Sequence, residues 1–233
     1  MATPRNIVVL TGAGISAESG LKTFRAEDGL WEGQRVEDVA TPEGFAADPA
    51  LVQRFYDERR AQVLTASPNA AHYALGRLER VFGGELLLVT QNVDDLHERG
   101  GAGNVLHMHG EVLKAWCLAC DSRMAWHDRL SDQPPCPVCQ KASLRPDIVW
   151  FGEMPYGMDR SYRALARCDL FVSIGTSGAV YPAAGFVEQA RAAGAATLEL
   201  NLERSLGSDR FDESRLGSAG TLVPEWVEQI LAP

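Results

Sequence analysis

Five apolar segments that end in small or polar residues constrain the fold of this chain more than any other feature. Valine, isoleucine and leucine run through each segment without alternating with polar residues, which is typical of strands that helices cover on both faces. The sequence therefore predicts a parallel β-sheet. The segments are NIVVLTG (6–12), ELLLVTQN (85–92), DIVWFG (147–152), LFVSIGTS (170–177) and ATLELN (196–201).

Helical patterns lie between these segments, at residues 49–64, 69–82 and 181–194. The last pattern has proline near its start and glycine at its end, as helix termini prefer. Strands that alternate with helices are typical of the α/β class. We therefore predict an α/β fold with a Rossmann-like, doubly wound parallel sheet.

Two segments interrupt this alternation. Residues 34–67 contain no predicted strand and insert helices, whereas residues 115–144 are polar and contain prolines and paired cysteines. We expect the helical insertion and the cysteine-containing segment to form a smaller domain together. The remaining ranges, 1–33, 68–114 and 145–233, would then form the Rossmann-like domain.

The second insertion carries four cysteines in the pattern C-x2-C-x15-C-x2-C, which is typical of a zinc ribbon. Each C-x-x-C pair places two thiolates on one turn, and two pairs complete a tetrahedron around zinc. Because four sulfur ligands leave no open position for water, we expect one structural zinc ion, which would stabilise a segment too polar to fold alone. The predicted ligands are Cys117, Cys120, Cys136 and Cys139.

The charge balance limits the classes of partner. The chain has 22 basic and 31 acidic residues, a formal net charge of −9, which disfavours nucleic acid and favours cationic partners such as lysine-bearing peptides. Acidic side chains interrupt the basic residues of the ribbon, which argues against a nucleic-acid-binding zinc module. No secretory signal pattern and no run of roughly 20 apolar residues for a membrane span occurs. We expect a cytoplasmic protein that requires neither a membrane nor oligomerisation.

The first predicted strand leads into a glycine-rich loop. Gly12, Gly14 and Ala17 fit the pattern G-x-G-x-x-A, in which glycines let the backbone approach a pyrophosphate. A redox dehydrogenase would continue with a second strand and an acidic residue about twenty positions on for the ribose hydroxyl. Here Glu37 stands at that distance, but in a loop-like segment. The sequence thus predicts a nucleotide site and disfavours a redox dehydrogenase.

Polar residues follow three later segments, and ligands of open α/β sheets bind at such carboxyl ends of strands. At the last of these ends, Asn201 or Glu203 could bond an adenosine ribose. The polar stretches are TQNVDD (90–95), GTS (175–177) and NLE (201–203).

Two histidines stand two positions apart in VLHMHGEV (105–112). If this segment is extended, His107 and His109 point to opposite faces, so that only one of them faces the cleft. We choose His109, because the glycine after it leaves room for close approach, although a hydrogen-bonded packing histidine is the alternative. A histidine with a pKa near 6.5 can act as a base at neutral pH.

Taken together, the motifs resemble those of the sirtuins, the NAD-dependent protein lysine deacylases. GAGISAESG, TFR, QNVDDLHERGG, HMHG, the four cysteines, GTS and NLE occur in the order found in that family, from about residue 6 to residue 227. The chain is similar in particular to bacterial members and to the desuccinylase-like class III.

The resemblance implies that NAD lies between the two domains and is consumed as a co-substrate. The acyl-lysine oxygen would attack C1′ of the nicotinamide ribose, and His109 would act as the general base toward a ribose hydroxyl, giving nicotinamide, lysine and O-acyl-ADP-ribose. The residues that would bind NAD are Gly12, Ala13, Gly14, Ile15, Ser16, Ala17, Phe24, Arg25 and Trp31, then Gln91, Asn92, Val93 and Asp94, and finally Gly175, Thr176, Ser177, Asn201, Leu202, Glu203 and Ala219.

The acyl class depends on Tyr56 and Arg59, which are spaced Y-x-x-R and share one helical face. By itself this spacing favours an amphipathic helix with solvated arginines. The resemblance instead implies binding of succinyl or malonyl groups, with Ala40 leaving room in the pocket. Acyl-lysine proteins or peptides would then be the partners, and the alternative activity is ADP-ribosyl transfer to protein from the same NAD site.

Overall fold

The computed structural model describes residues 4–22, 30–31 and 33–232, apart from the side chain of Leu30. Within these residues the strands are β1 (Asn6–Thr11), β2 (Leu30–Trp31), β3 (Gln34–Arg35), β4 (Glu85–Thr90), β5 (Val105–His107), β6 (Gly110–Cys117), β7 (Arg123–Ala125), β8 (Leu144–Ile148), β9 (Leu170–Ile174), β10 (Ala196–Asn201) and β11 (Glu213–Leu216). The α-helices are α1 (Val36–Val39), α2 (Pro42–Ala47), α3 (Pro49–Thr65), α4 (Ala70–Val81), α5 (Leu96–Arg99), α6 (Met158–Leu165), α7 (Phe186–Ala192) and α8 (Ala219–Leu231).

Six strands form a parallel sheet in the order β11-β10-β9-β1-β4-β5. The chain adds strands on one side of β1 first and on the other side later, so that β1 is the point where the strand order reverses. Ligands of doubly wound sheets bind at such a point, beyond the carboxyl ends of the strands. The predicted Rossmann-like α/β fold is confirmed.

Both faces of this sheet are covered, which explains the continuous apolar segments. Ile7 and Val9 point into one buried cluster with residues of α4 and α8, while Val8 and Leu10 point into a second cluster with residues of α6 and α7. Because successive residues of a strand face opposite sides, a strand between two helical layers has no side open to polar residues.

A smaller, three-stranded antiparallel sheet has the order β7-β6-β8. It spans residues 110–148 and therefore includes residues on both sides of the predicted ribbon, 115–144. Helix α3 packs beside it: the Gln53 amide donates to the Leu144 carbonyl at 2.7 Å, and the Asp57 carboxylate accepts the backbone N–H groups of Leu130 and Ser131 at 2.9 and 3.0 Å. The helical insertion and the ribbon thus contact each other through α3.

The segment DIVWFG (147–152) was predicted as a strand of the parallel sheet, and that prediction is wrong. Its first two residues end β8, which pairs antiparallel with β6, and the remaining residues form a loop. An apolar run reports burial but not which sheet buries it, and here the partner is the adjacent ribbon. The expectation of no strand in 34–67 also needs correction, because β3 pairs with β2 over two residues.

The predicted helices 49–64 and 69–82 correspond to α3 and α4, each within one residue at either end. The prediction 181–194 divides into a 3-10 turn at Ala183–Gly185 and the shorter α7. No α-helix in the described ranges is long and apolar enough to cross a membrane.

Candidate active site

A cleft of about 980 Å³ opens beyond the carboxyl ends of β1, β4, β9 and β10, and α3 contributes to its lining. Every described residue that was predicted for NAD or substrate lines this cleft except Ile15, whose side chain is fully buried in the core against β1. Ile15 therefore supports the glycine loop from beneath and is not a ligand side chain. Phe24 and Arg25 lie outside the described residues.

The glycine loop is shaped by contact with the loop after β9. The Gly12 and Gly14 amides donate to the carbonyls of Ile174 and Gly175 at 3.0 and 2.9 Å, and a Cβ atom on Gly14 would stand 2.7 Å from the Gly175 Cα. These two amides are therefore already paired within the protein. Both glycines are needed because two backbone segments meet here. Gly12 caps a 3-10 helix, Ala13–Ser19, which includes Gly14.

A buried polar cluster joins the glycine loop to the segment after β4. The Ser16 hydroxyl donates to the Asp94 carboxylate at 3.1 Å and accepts the Asn92 amide at 3.1 Å, while a second Asp94 oxygen accepts the Leu96 amide at 3.1 Å. Burial raises the pKa of Asp94, and the hydrogen bonds from Leu96 and Ser16 oppose this shift. The cluster fixes the orientation of two polar side chains at the floor of the cleft.

Two further histidines support this cluster from below. His72 Nε2 lies 3.5 Å from the Ser16 hydroxyl, and its Nδ1 accepts the Asn69 amide at the start of α4. His97 Nε2 lies 2.9 Å from the Thr11 hydroxyl, and the two imidazole rings are 5.0 Å apart. Burial lowers the pKa of His72 to about 4 and that of His97 well below its usual value, so that both rings are neutral at pH 7. They act as hydrogen-bonding supports.

The two histidines of HMHG separate as expected from an extended segment. His107 faces Glu98, and its Nε2 lies 2.7 Å from the Glu98 carboxylate. Burial lowers the pKa of His107, but the contact with Glu98 outweighs burial, so that the pKa is raised. His109 lines the cleft, and its Nδ1 lies 3.0 Å from the Gln91 carbonyl oxygen. A carbonyl oxygen only accepts, so Nδ1 carries the hydrogen and neutral His109 has its lone pair on Nε2.

The pKa of His109 is lowered by burial, and the hydrogen bond to the Gln91 carbonyl partly opposes this shift. The ring is consequently neutral at pH 7 and able to accept a proton at Nε2.

The end of the cleft near β10 differs in detail from the expectation. The Asn201 amide donates to the Thr176 carbonyl at 2.8 Å, and its side-chain oxygen accepts the Leu202 amide at 3.0 Å. Asn201 therefore joins two loops. Because a side-chain amide has two N–H groups and two oxygen lone pairs, these two contacts are compatible with its predicted bond to a ribose. Glu203 is exposed at the rim, which leaves it the more accessible of the two candidate ribose ligands.

At the opposite end, α3 presents Tyr56 and Arg59 to the cleft beside Ala40 and Trp31. Arg59 is 8% exposed, and its guanidinium lies 4.8 Å from the centre of the Phe55 ring. Its Nη2 is 3.5 Å from the Glu58 carboxylate, whereas Nε and Nη1 are buried without a hydrogen-bond partner among the described residues. Buried N–H groups without acceptors are costly, which indicates a site for an anion.

The sequence analysis did not identify Trp150 or His72 as site residues. Trp150 lines the cleft and donates its indole N–H to the Tyr56 hydroxyl at 3.0 Å. It was hidden in an apolar segment assigned to the parallel sheet. His72 could have been found from the sequence N-A-A-H (69–72), because asparagine at a helix N-cap favours a hydrogen-bonding residue three positions on.

The four cysteines converge on one point of the ribbon, and none of them lines the described cleft. Cys117 and Cys139 have their sulfur atoms 3.7 Å apart, Cys120 and Cys136 theirs 3.8 Å apart, and all four sulfurs lie within 4.8 Å of one another. A tetrahedron with zinc–sulfur bonds of about 2.3 Å requires sulfur separations of about 3.8 Å. The geometry fits a structural zinc ion with a complete set of protein ligands.

Comparison with known proteins agrees with this geometry. A model of the Sir2 family matches residues 12–182. The NAD-dependent protein deacylase of Yersinia pseudotuberculosis is 59% identical over 228 residues, which are 97% of this chain and 82% of that protein. A solved Sir2 homolog–NAD complex is 41% identical with a TM-score of 0.89, covering 97% of this chain and 90% of that one.

A solved structure of Sir2 bound to acetylated peptide is 29% identical with a TM-score of 0.84, covering 97% of this chain and 93% of that one. The family model alone spans well over half of the sequence, and the two solved structures extend the likeness to nearly all of it. This chain belongs to the Sir2 family.

Proposed function

We propose that this chain removes acyl groups, including acyl groups that end in a carboxylate, from protein lysine side chains and consumes NAD in doing so. The observation that carries the proposal is that a single cleft holds a histidine with its Nε2 lone pair available and a buried arginine, two of whose nitrogens have no partner in the described part of the chain. The first suits proton transfer and the second suits an anionic acyl chain. The names of the relatives, NAD-dependent protein deacylase, support the reaction class.

NAD is the co-substrate that supplies an electrophilic ribose carbon, from which nicotinamide leaves when the acyl oxygen attacks. We assign the proton transfer that follows to His109. Its Nδ1–H is held by the Gln91 carbonyl, which keeps Nε2 unprotonated and directs the ring. Nε2 takes the proton of a ribose hydroxyl, whose oxygen can then attack the acyl carbon. One water molecule completes the reaction: the bond between the acyl carbon and the lysine nitrogen breaks, and free lysine and O-acyl-ADP-ribose are released.

Asn92 and Asp94 would hold the nicotinamide and its ribose. Ser16 bonds both side chains, and His72 supports Ser16, so that the donors and acceptors are fixed before NAD binds. Preorganised groups of this kind lose little freedom on binding and exclude water from the reacting carbon. The loop after β9 and the loop after β10 would enclose the adenosine end.

Arg59 and Tyr56 would recognise the end of the acyl chain. An arginine binds a carboxylate through two neighbouring N–H groups, either Nε with Nη2 or Nη1 with Nη2. In each pair the first atom, Nε or Nη1, lacks a partner among the described residues. Ala40, with its small side chain, lies at the same end of the cleft. An acyl-lysine peptide is the expected partner, and a Sir2 relative has been solved bound to acetylated peptide.

The test incubates the protein with NAD and peptides that differ only in an acetyl, malonyl or succinyl group on one lysine. Mass spectrometry of the peptide and chromatography of nicotinamide should show acyl loss together with nicotinamide release, and His109→Ala should abolish acyl loss. No acyl loss from any peptide would refute the proposal. A mass gain of one ADP-ribosyl unit would instead support ADP-ribosyl transfer.

A further inference from the structure

The Tyr56 hydroxyl has one buried partner on a neighbouring loop. The indole Nε1–H of Trp150 donates to it at 3.0 Å, and the two side chains are 0% and 2% exposed. A phenol hydroxyl has a single hydrogen and accepts through its lone pairs. Since Trp150 has only a donor to offer, the hydrogen of Tyr56 must point away from it. No second partner of this hydroxyl occurs among residues 4–22, 30–31 and 33–232.

The rings around Tyr56 restrict where its hydrogen can point. Trp31 meets the Tyr56 ring edge to face at 5.9 Å, and Phe55 does so at 5.2 Å. Arg59 lies one helical turn further along the same face of α3, and all three polar side chains, Tyr56, Arg59 and Trp150, line the cleft. Burial raises the pKa of Tyr56, so that it stays a neutral hydrogen-bond donor at pH 7.

Trp150 is itself held in place by an ion pair between the buried Arg145 and the half-buried Glu153. The Arg145 guanidinium lies 3.4 Å from the centre of the Trp150 ring and binds the Glu153 carboxylate through two nitrogens, at 2.8 and 3.0 Å. Glu153 also accepts the backbone N–H of Trp150 at 2.8 Å. Both the backbone and the ring of Trp150 are therefore fixed, and its N–H direction is set before any substrate enters.

We propose that Trp150 is a positioning residue for carboxylated acyl chains: by occupying a lone pair of the Tyr56 hydroxyl, it directs the hydrogen of that hydroxyl toward the acyl carboxylate beside Arg59. The inference rests on the proposed function and adds a specificity role for a residue that does not need to touch the carboxylate. An acetyl group has no carboxylate, so the orientation of Tyr56 matters less for acetyl-lysine.

The test is a double-mutant cycle with Trp150→Phe and Tyr56→Phe, measured as KM and kcat for succinyl-lysine and acetyl-lysine peptides with saturating NAD. Trp150→Phe removes the N–H donor but keeps an aromatic ring. Because one neutral hydrogen bond is lost, the ratio of KM for the succinyl-lysine peptide to KM for the acetyl-lysine peptide should rise by about 3- to 10-fold. The corresponding ratio of kcat values should stay nearly constant. In the Tyr56→Phe background, the same substitution should leave this ratio unchanged.

Replacement of Trp150 by 3-benzothienylalanine, in which sulfur takes the place of the N–H group, keeps the size of the ring and should give the same shift. Equal changes for both peptides, or effects of the two substitutions that simply add, would overturn the role of Trp150. Failure of the wild-type protein to remove succinyl groups would instead refute the proposed acyl class, so the two failures are distinguishable.

Discussion

Replacing Arg59 by methionine tests the acyl assignment most sharply. Methionine keeps an unbranched side chain but removes the guanidinium that lies over the Phe55 ring, and with it the charge and the N–H groups that have no partner among the residues the structure describes. A hydrogen bond to a charged group contributes about 1.5–3 kcal/mol, so that two of them contribute about 3–6 kcal/mol. At about 1.4 kcal/mol per factor of ten, kcat/KM for succinyl-lysine should fall by about 10²- to 10⁴-fold.

The assay measures kcat/KM for succinyl-lysine and acetyl-lysine peptides side by side. Acetyl-lysine should lose no more than about 5-fold, because it has no carboxylate for Arg59 to bind. Arg54→Met, on the exposed face of the same helix, is the matched control and should leave both values near those of the wild type. Equal losses for both peptides with Arg59→Met would refute the assignment, since they would indicate a general distortion of the cleft.

Three further predictions follow from the ring of His109, the cysteine cluster and the contact between α3 and the ribbon. His109 must be neutral to accept a proton, and burial lowers its pKa. We therefore expect kcat/KM to rise with pH through a midpoint below about 6.5, and a higher midpoint would contradict the role of His109 as the base. Metal analysis of the wild-type protein should find one zinc ion per chain. Cys136→Ser should abolish zinc binding and lower Tm by about 10 °C or more, whereas Cys168→Ala, outside the cluster, should retain zinc. Asp57→Ala should cost about 3–5 kcal/mol of unfolding free energy, or about 10 °C in Tm, because it removes the acceptor of the Leu130 and Ser131 backbone N–H groups in the ribbon and leaves the buried Arg60 without its carboxylate. A Tm change as small as that expected of the exposed Glu58→Ala would argue against it.

The sequence was informative wherever chemistry depends on spacing along the chain. The four cysteines, the two histidines of HMHG and the polar ends of β1, β4, β9 and β10 could be located because short-range spacing and strand ends determine where their side chains meet. The parallel sheet was predictable for the same reason: strands covered on both faces have no polar alternation. Strands β5 and β11 were not among the predicted strands, because segments of three and four residues are too short to show a periodic pattern.

Contacts between distant segments could not be predicted from spacing. Gly12 and Gly14 were expected to make room for a pyrophosphate, but the structure shows that the approach of Gly175 also requires them. Asn201 or Glu203 was predicted to bond a ribose, and only the fold shows that the Asn201 amide also donates to the Thr176 carbonyl. Trp150 was counted as a strand residue, because only the fold brings its indole N–H to Tyr56, 94 positions earlier.

In the proposed reaction, NAD is consumed as the acceptor of the acyl group. The most direct measurement supplies a peptide whose succinyl-lysine carries carbon-13 in the acyl group and follows the label by mass spectrometry during the first turnovers. We expect the label to appear in an ADP-ribose ester, with one nicotinamide released for every acyl group removed. Appearance of the label directly as free succinate, without an equal amount of nicotinamide, would show that NAD does not accept the acyl group.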